Sequence, residues 1–350
     1  MKNVTLGTRP VGEGQPPYVI AEIGSNHNGD MDLCRRLIDA AADAGADAVK
    51  FQSWSEKSLI AKEEYDHNPS YSDKKRHFGS LREMVRAYQF TPEQHVEAHA
   101  YCQARGITFC SSVFSPEEAD LLEKLDVPFF KIASMDVDNL PLLACVARKR
   151  RPMVISTGMA TLAEVEQAVE TVRTAGNEEI VLLHCVSIYP PEYKSINLRN
   201  MSTLREAFEV PVGFSDHTLG TAVPLAAIAL GASVIEKHFT LDKDMPGWDH
   251  AISADPAELQ TIVKEGKNVF DALGSSRRIV SEAEYEKRRK LRRSLVARRP
   301  LRRGHVIADG DLNAKRPGTG ISPAEMRYVI GRRLADDVEE DQVLRWEDLE

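Results

Sequence analysis

Tyr18-Val19-Ile20-Ala21-Glu22-Ile23-Gly24 is a short apolar run that ends in a carboxylate and a glycine. A run of this length, rich in branched side chains and bounded by turn formers, has the pattern of a strand buried on both faces, as in a parallel sheet covered by helices. Seven further runs repeat it, at residues 47–52, 107–113, 129–134, 153–158, 180–185, 212–216 and 234–239. Eight such strands alternating with helical segments predict a closed α/β ring, the (β/α)8 or TIM barrel, over residues 1–273.

The runs share a second property, which is that each closes on polar residues. In order these are Glu22 with Asn26 and His27; Lys50 and Gln52; Ser111 and Ser112; Lys131 and Ser134; Ser156 and Thr157; His184 with Ser187 and Tyr189; Ser215, Asp216 and His217; and Glu236, Lys237 and His238. In a barrel these ends converge on one rim, the face where enzymes of this architecture carry their chemistry. A doubly wound open sheet is the competing fold, but no Gly-rich dinucleotide turn follows the first run. Helix starts are legible at Ser115-Pro116-Glu117-Glu118, at Thr161 with Glu164, and at 253–256. The one long interval, 53–106, is expected to hold an extended loop around 65–78 and then a helix near 92–105.

At 350 residues the chain can bury roughly three quarters of its extended surface, enough for one or two domains. The longest nearly apolar stretch, 223–232, is about half of what a membrane helix requires, and nothing before Tyr18 resembles a signal-peptide core. A cytoplasmic protein with no membrane partner is therefore expected. The cysteines at 34, 102, 110, 145 and 185 are widely spaced, which argues for unpaired thiols rather than disulfides or a cysteine zinc site. Net charge is -8, yet ten of the seventeen residues from 287 to 303 are Lys or Arg. That stretch admits a polyanion-binding reading, but a solvated face near a domain junction suits the acidic remainder better, so no nucleic-acid partner is expected. A basic linker helix over 274–293 and a small separate domain over 294–350 complete the organisation; fewer than sixty residues make a marginal core.

His217 and His238 close neighbouring strands of the ring. Two neutral imidazoles on one rim can hold a divalent ion and leave positions for water and substrate oxygens, with Glu22 and Asp249 in support. Mn²⁺ fits such a donor set, as does Mg²⁺ or another divalent ion. Lys50 and Lys131 emerge from apolar strands and need an anionic partner, since an unpaired buried ammonium costs several kcal/mol. A bound phosphate or carboxylate would serve, with Ser134, Ser156, Thr157 and Ser215 as neutral donors. For Lys131 an ion pair with Glu22 or another rim carboxylate is the structural alternative. Glu22 is placed to steer a proton or a hydroxyl group.

These residues together resemble the sialic acid synthase family, which condenses phosphoenolpyruvate with acylamino sugars to make nonulosonic acids. The resemblance spans nearly the whole chain and rests on Ala21 to Gly29, Val49-Lys50-Phe51-Gln52, Phe130-Lys131-Ile132-Ala133-Ser134, Ile155-Ser156-Thr157-Gly158-Met159, Phe214-Ser215-Asp216-His217-Thr218, Ile235-Glu236-Lys237-His238-Phe239-Thr240 and Lys315-Arg316-Pro317-Gly318-Thr319-Gly320. It implies Mn²⁺ at His217 and His238. It also implies phosphoenolpyruvate at Lys50 and Lys131 with Ser134, Ser156 and Ser215, and catalysis by Glu22 and Asp136. Asn26, Gln52, Thr157, Ser187, Tyr189 and Asp249 are the further substrate-binding positions. The C-terminal segment resembles the family's antifreeze-like SAF domain, which implies a domain-swapped homodimer in which Arg316 meets the sugar's acylamino group.

The chain departs from the family in three places. Asp136 stands where Glu is usual, Ser187 replaces an Asn in the run after the sixth strand, and Ser112-Val113-Phe114 replaces Thr-Pro-Phe. These bear on which sugar is accepted, because a lost hydrogen-bonding group shifts discrimination. A pyruvate aldolase using a lysine Schiff base and a nonenzymatic polyanion-binding module are the alternative readings.

Overall fold

The computed structural model describes residues 3–69, 71–72 and 77–350. The chain divides into two compact units, Met1–Gly274 and Ser275–Glu350.

The first unit is a closed barrel. Its strands are β1 (Tyr18–Gly24), β2 (Ala48–Ser53), β3 (Thr108–Val113), β4 (Phe130–Ile132), β5 (Met153–Ser156), β6 (Ile180–Cys185), β7 (Val212–Asp216) and β8 (Val234–His238). They pair in chain order, all parallel, and the ring closes where β8 meets β1, with His238 opposite Glu22. Helices that include Met31–Asp43, Pro92–Arg105, Pro116–Lys124, Leu162–Thr174 and Pro256–Leu273 surround it. The expected starts recur: Ser115 caps ahead of Pro116, and Thr161 and Glu164 form a reciprocal capping box. At the third start Asp255 is the cap ahead of Pro256.

Alternation along the strands explains why the chemistry gathers at one end. Successive side chains face opposite sides of a strand, so every second residue points into the barrel. At the N-terminal end the inner residues are apolar and pack as one cluster with Tyr18, Ile20, Ala48, Cys110, Phe129, Val154, Val181, Leu183 and Val234. A short N-terminal hairpin, Val4–Leu6 with Arg9–Val11, adds Val4, Leu6 and Val11 to the same cluster. One or two steps further along, the same inward register carries Glu22, Lys50, Gln52, Ser112, Lys131, Ser156, Cys185, Ser215, Glu236 and His238. Gly213 lies on this inner face where there is no room for a side chain, since a Cβ would sit 2.4 Å from the Val234 carbonyl oxygen.

Several boundaries differ from expectation, some by a single residue. The fourth strand ends at Ile132 rather than 134, because Ser134–Asp136 turns into a 3-10 helix. The fifth ends at Ser156, two residues early. The interval from 53 to 106 is not mainly loop, because it carries helices Glu56–Leu59, Lys62–His67 and Leu81–Tyr88 before Pro92–Arg105. Of the loop expected at 65–78, residues 70 and 73–76 lie outside the described residues.

The second unit carries an exposed basic helix, Glu282–Leu291, that covers only part of the 274–293 expected, starting at 282 and ending two residues sooner. An antiparallel pair, Ser294–Ala297 with Leu312–Lys315, comes next in the chain, and its small core includes Leu295, Leu301, Ile307, Leu312, Val329, Leu334 and Leu344. All five cysteines are free. Among the described residues no helix is long and apolar enough to cross a membrane.

Candidate active site

At the C-terminal end of the barrel lies a cavity of about 300 Å³. Its floor carries two ammonium groups and two carboxylates, all nearly without solvent contact. Lys50 Nζ lies 2.6 Å from Glu22 Oε2 and donates to Ser112 Oγ at 3.1 Å. Lys131 Nζ donates to Ser156 Oγ at 2.6 Å and to its neighbour's carbonyl, Ile132 O, at 2.8 Å. Between the lysines sits Glu236, with Oε1 3.9 Å from each Nζ and accepting from Ser215 Oγ at 3.2 Å. Its other oxygen, Oε2, is buried without a hydrogen-bond partner.

Burial and charge set the titration of these groups. Desolvation pushes Glu22 up to about 7; the Lys50 ammonium opposes the shift, and the charge on Glu236 adds to it. Glu236 behaves differently, because the ammoniums of Lys131 and Lys50 outweigh its desolvation and hold it below the usual carboxylate range. Lys131 is lowered by burial, whereas Lys50, facing two carboxylates, is raised despite it. Gln52 Nε2 donates to Glu22 Oε1 at 2.8 Å, and Trp54 Nε1 in turn donates to Gln52 Oε1 at 2.9 Å. A short chain of amide and indole groups thereby fixes the orientation of the carboxylate.

His217 and His238 stand beside this floor with ring centroids 5.4 Å apart, and Tyr189 packs on His217 at 4.1 Å. His217 Nδ1 lies 2.9 Å from Val186 O and 3.9 Å from Cys185 Sγ. The carbonyl distance is the hydrogen bond, so Nδ1 donates a proton there, and although burial lowers it, Cys185 and this carbonyl hold the imidazole above its ordinary value. His238 Nδ1 is buried with no hydrogen bond, its nearest carboxylate being Asp249 Oδ2 at 3.8 Å. Burial, His217 and Lys50 all push His238 well below its ordinary value, which leaves a neutral imidazole. No cluster of three or more His, Cys, Asp or Glu side chains able to hold a metal occurs among the described residues. The histidine pair therefore fits a divalent ion only as two of its ligands, with an orphaned ring nitrogen as the sign that a partner belongs there.

The cavity brings together Glu22, Lys50, Gln52, Lys131, Ser134, Ser156, Ser187, Tyr189, Ser215, His217 and His238. Five other expected residues lie outside its lining. Asn26 Nδ2 serves the framework, donating to Phe239 O and Ser253 Oγ, each at 2.9 Å, while its Oδ1 is buried without a hydrogen-bond partner. Thr157 Oγ1 donates to Leu183 O at 3.1 Å and lines a neighbouring cavity instead. Asp136 accepts from Asn139 Nδ2 at 3.0 Å within its own turn. Asp249 reaches the site only through its approach to His238, and Arg316 is an exposed residue of the second unit. Sequence reasoning gave no role to Glu236, Ser112, Cys185, Trp54 and Trp248, all of which line the cavity. For Glu236 the signal was available, since it lies two residues before His238 and so shares its inward face.

Comparison with known proteins supplies the family. Residues 37–278 match the NeuB family and residues 292–350 match the SAF domain. The N,N'-diacetyllegionaminic acid synthase of Legionella pneumophila is 41% identical over 352 residues, covering 98% of each chain. The enzyme of the same name from Campylobacter jejuni is 38% identical over 333 residues, covering 93% of this chain and 98% of its own. Among solved structures, the N-acetylneuraminic acid (sialic acid) synthetase of Leptospira borgpetersenii superposes with a TM-score of 0.73 at 33% identity, over 82% of this chain and 95% of that one. The eight-stranded ring, its charged rim and these matches agree, and the chain belongs to the NeuB family, with a SAF domain at its C-terminal end.

Proposed function

We propose that this chain condenses phosphoenolpyruvate with an open-chain 2-acylamino sugar, N-acetylmannosamine-like or a 2,4-diacetamido-trideoxyhexose, to give a nonulosonic acid of the sialic, legionaminic or pseudaminic type and inorganic phosphate. The observation that carries this reading is the floor of the cavity, where two buried ammoniums ringed by serine hydroxyls lie beside a pair of imidazoles. Such a floor suits a small ligand bearing both phosphate and carboxylate.

Lys50 and Lys131 neutralise the phosphate and carboxylate of phosphoenolpyruvate, and Ser134, Ser156 and Ser215 complete its hydrogen bonds. The methylene carbon of the enol phosphate forms the new carbon–carbon bond with the sugar's aldehyde carbon. Water adds at C2, and the tetrahedral centre collapses by breaking the C–O bond to phosphate. Glu22, held by Gln52 and titrating near neutrality, accepts or returns the proton that water and alkoxide exchange. His217 and His238 would hold a divalent ion, Mn²⁺ or another, which when bound would supply a Lewis acid for the aldehyde oxygen. Tyr189, Gln52 and Ser187 line the sugar's side of the site, with Asp249 supporting His238. Asp136 acts through the turn it anchors.

The division proposed is a synthase barrel over 1–273, a linker helix over 274–293 and a SAF domain over 294–350, working as a domain-swapped homodimer in the cytoplasm. Large apolar side chains exposed on successive rim loops, Met135, Met159, Ile188, Leu219 and Trp248, support a covering partner. Arg316 of one subunit then meets the acylamino group held by the other.

The test is a panel of acylamino sugars with phosphoenolpyruvate, following phosphate release and product mass with and without Mn²⁺. Phosphate and a nine-carbon acid formed together support the proposal. Pyruvate trapped on a lysine by borohydride, with no use of phosphoenolpyruvate, would replace it by the aldolase reading.

A further inference from the structure

Behind the two histidines, on the outer face of the barrel, lies a second buried charge pair that the proposed chemistry does not touch. Asp216 and Lys237 are register partners on β7 and β8, each 1% exposed, with Nζ and Oδ2 2.6 Å apart. Their strand neighbours Ser215 and Glu236 face the cavity, so alternation directs the pair away from it. Each member is covalently adjacent to one histidine, Asp216 to His217 and Lys237 to His238.

The pair also grips the residue on the far side of His217. Asp216 Oδ1 accepts from Thr218 N at 2.9 Å, and Lys237 Nζ donates to Thr218 O. The peptide groups of Thr218 are thus tied to both charges, and one ammonium links the turn that carries His217 to the strand that carries His238. His217 itself is steadied from the other side by Val186 O.

Stability alone is a weak reason for such a pair. Buried ion pairs are often no more stabilising than well-packed apolar side chains of similar size, because both charges lose their hydration. What an apolar pair lacks is direction. We infer that Asp216 and Lys237 are positioning residues that set the separation and orientation of the two imidazoles, and through them the affinity of the site for a divalent ion. The inference rests on the proposed metal role of His217 and His238.

Mn²⁺ titration of the full-length protein, read from the electron paramagnetic resonance of the free ion, tests it together with the thermal unfolding midpoint. In the double variant Asp216→Leu/Lys237→Met the expected result is an unfolding midpoint near that of the parent and Mn²⁺ affinity lowered about 10–100-fold, the scale seen when groups supporting metal ligands are removed. Asp216→Asn keeps the shape and an acceptor for Thr218 but not the charge, and it is expected to weaken Mn²⁺ by several fold. Parental Mn²⁺ affinity in the folded double variant overturns the inference. If the double variant does not fold, unchanged affinity in Asp216→Asn overturns it. Failure of the parent protein itself to bind Mn²⁺ removes the metal assignment, a different result from parental binding that the variants leave unaltered.

Discussion

Replacing Glu236 by Gln is expected to make the empty protein less stable and its grip on anions tighter. The carboxylate lies 3.9 Å from each of two ammoniums. At an effective dielectric constant of about 20, each contact is worth about 4 kcal/mol before desolvation. The amide escapes the several kcal/mol of carboxylate desolvation, so the net loss falls near the low end of the roughly 3–5 kcal/mol typical of breaking a buried pair. The field of the two ammoniums then acts on the ligand alone, and a gain of about 1.4 kcal/mol, tenfold in Kd, is the minimum expected for phosphoenolpyruvate. Thermal unfolding with and without phosphoenolpyruvate, joined to a calorimetric Kd, reads both effects. The pH dependence is a further check: a carboxylate held low contributes stability above its ordinary value of 4.5 and loses it as pH falls through the folded value. The stability gap between parent and variant should therefore be full at pH 7 and close on acidification below that range. A Gln variant as stable as the parent, binding no more tightly, would refute the view that Glu236 is the counter-charge of the empty site.

His217→Ala and His238→Ala should each abolish Mn²⁺ binding and lower phosphate release by about 10²-fold or more, the several kcal/mol that a Lewis acid supplies; a demetallated double variant at full activity would end the scheme. Glu22 titrates near 7, so kcat/KM should rise through that pH if its carboxylate is the working form. Glu22→Gln should flatten that limb, and Lys50→Met, which removes the ammonium opposing the shift, should move it to higher pH; an unmoved limb in both variants assigns it elsewhere. Because the folded value is raised, the stability linked to Glu22 is present below 4.5 and lost as pH rises through about 7, so Glu22→Gln should unfold at a higher temperature than the parent at pH 8. Arg316→Ala should raise KM for the sugar several fold while leaving KM for phosphoenolpyruvate unchanged, and equal effects on both would count against its contact.

Much of the barrel was legible because parallel strands buried on both faces read as apolar runs, and the runs at 180–185 and 212–216 coincide with the observed strands. The fourth strand was read too long because Ala133 and Ser134 continue its apolar and small-residue pattern, which does not reveal that Ser134–Asp136 turns into a 3-10 helix. The charged floor was half visible. Lys50 and Lys131 stood out as cations in apolar strands, and for Lys131 an ion pair with Glu22 or another rim carboxylate was foreseen; the structure gives Lys131 that other carboxylate, Glu236, which it shares with Lys50, and pairs Glu22 with Lys50. Asn26 and Thr157 lie outside the cavity lining for a related reason: a polar residue at a strand end can hydrogen-bond a neighbouring segment as readily as a ligand, and periodicity does not distinguish the two.

The side chains of the floor are close to electrically balanced, and that balance constrains how the site responds when substrate enters. Two ammoniums face Glu236, ionised at neutral pH, and Glu22, which divides its time between charged and neutral forms. A ligand with a phosphate and a carboxylate brings more negative charge than the lysines have left to neutralise. Glu236 is held low by both ammoniums and resists protonation, whereas Glu22, already raised by burial, is the group that yields first. Binding of phosphoenolpyruvate should therefore draw a proton onto Glu22, measurable as a buffer-dependent calorimetric enthalpy that disappears in Glu22→Gln. A binding enthalpy independent of the buffer between pH 7 and 8 would mean that the anion's charge is met some other way, and Glu22 would then enter the reaction as a fixed carboxylate.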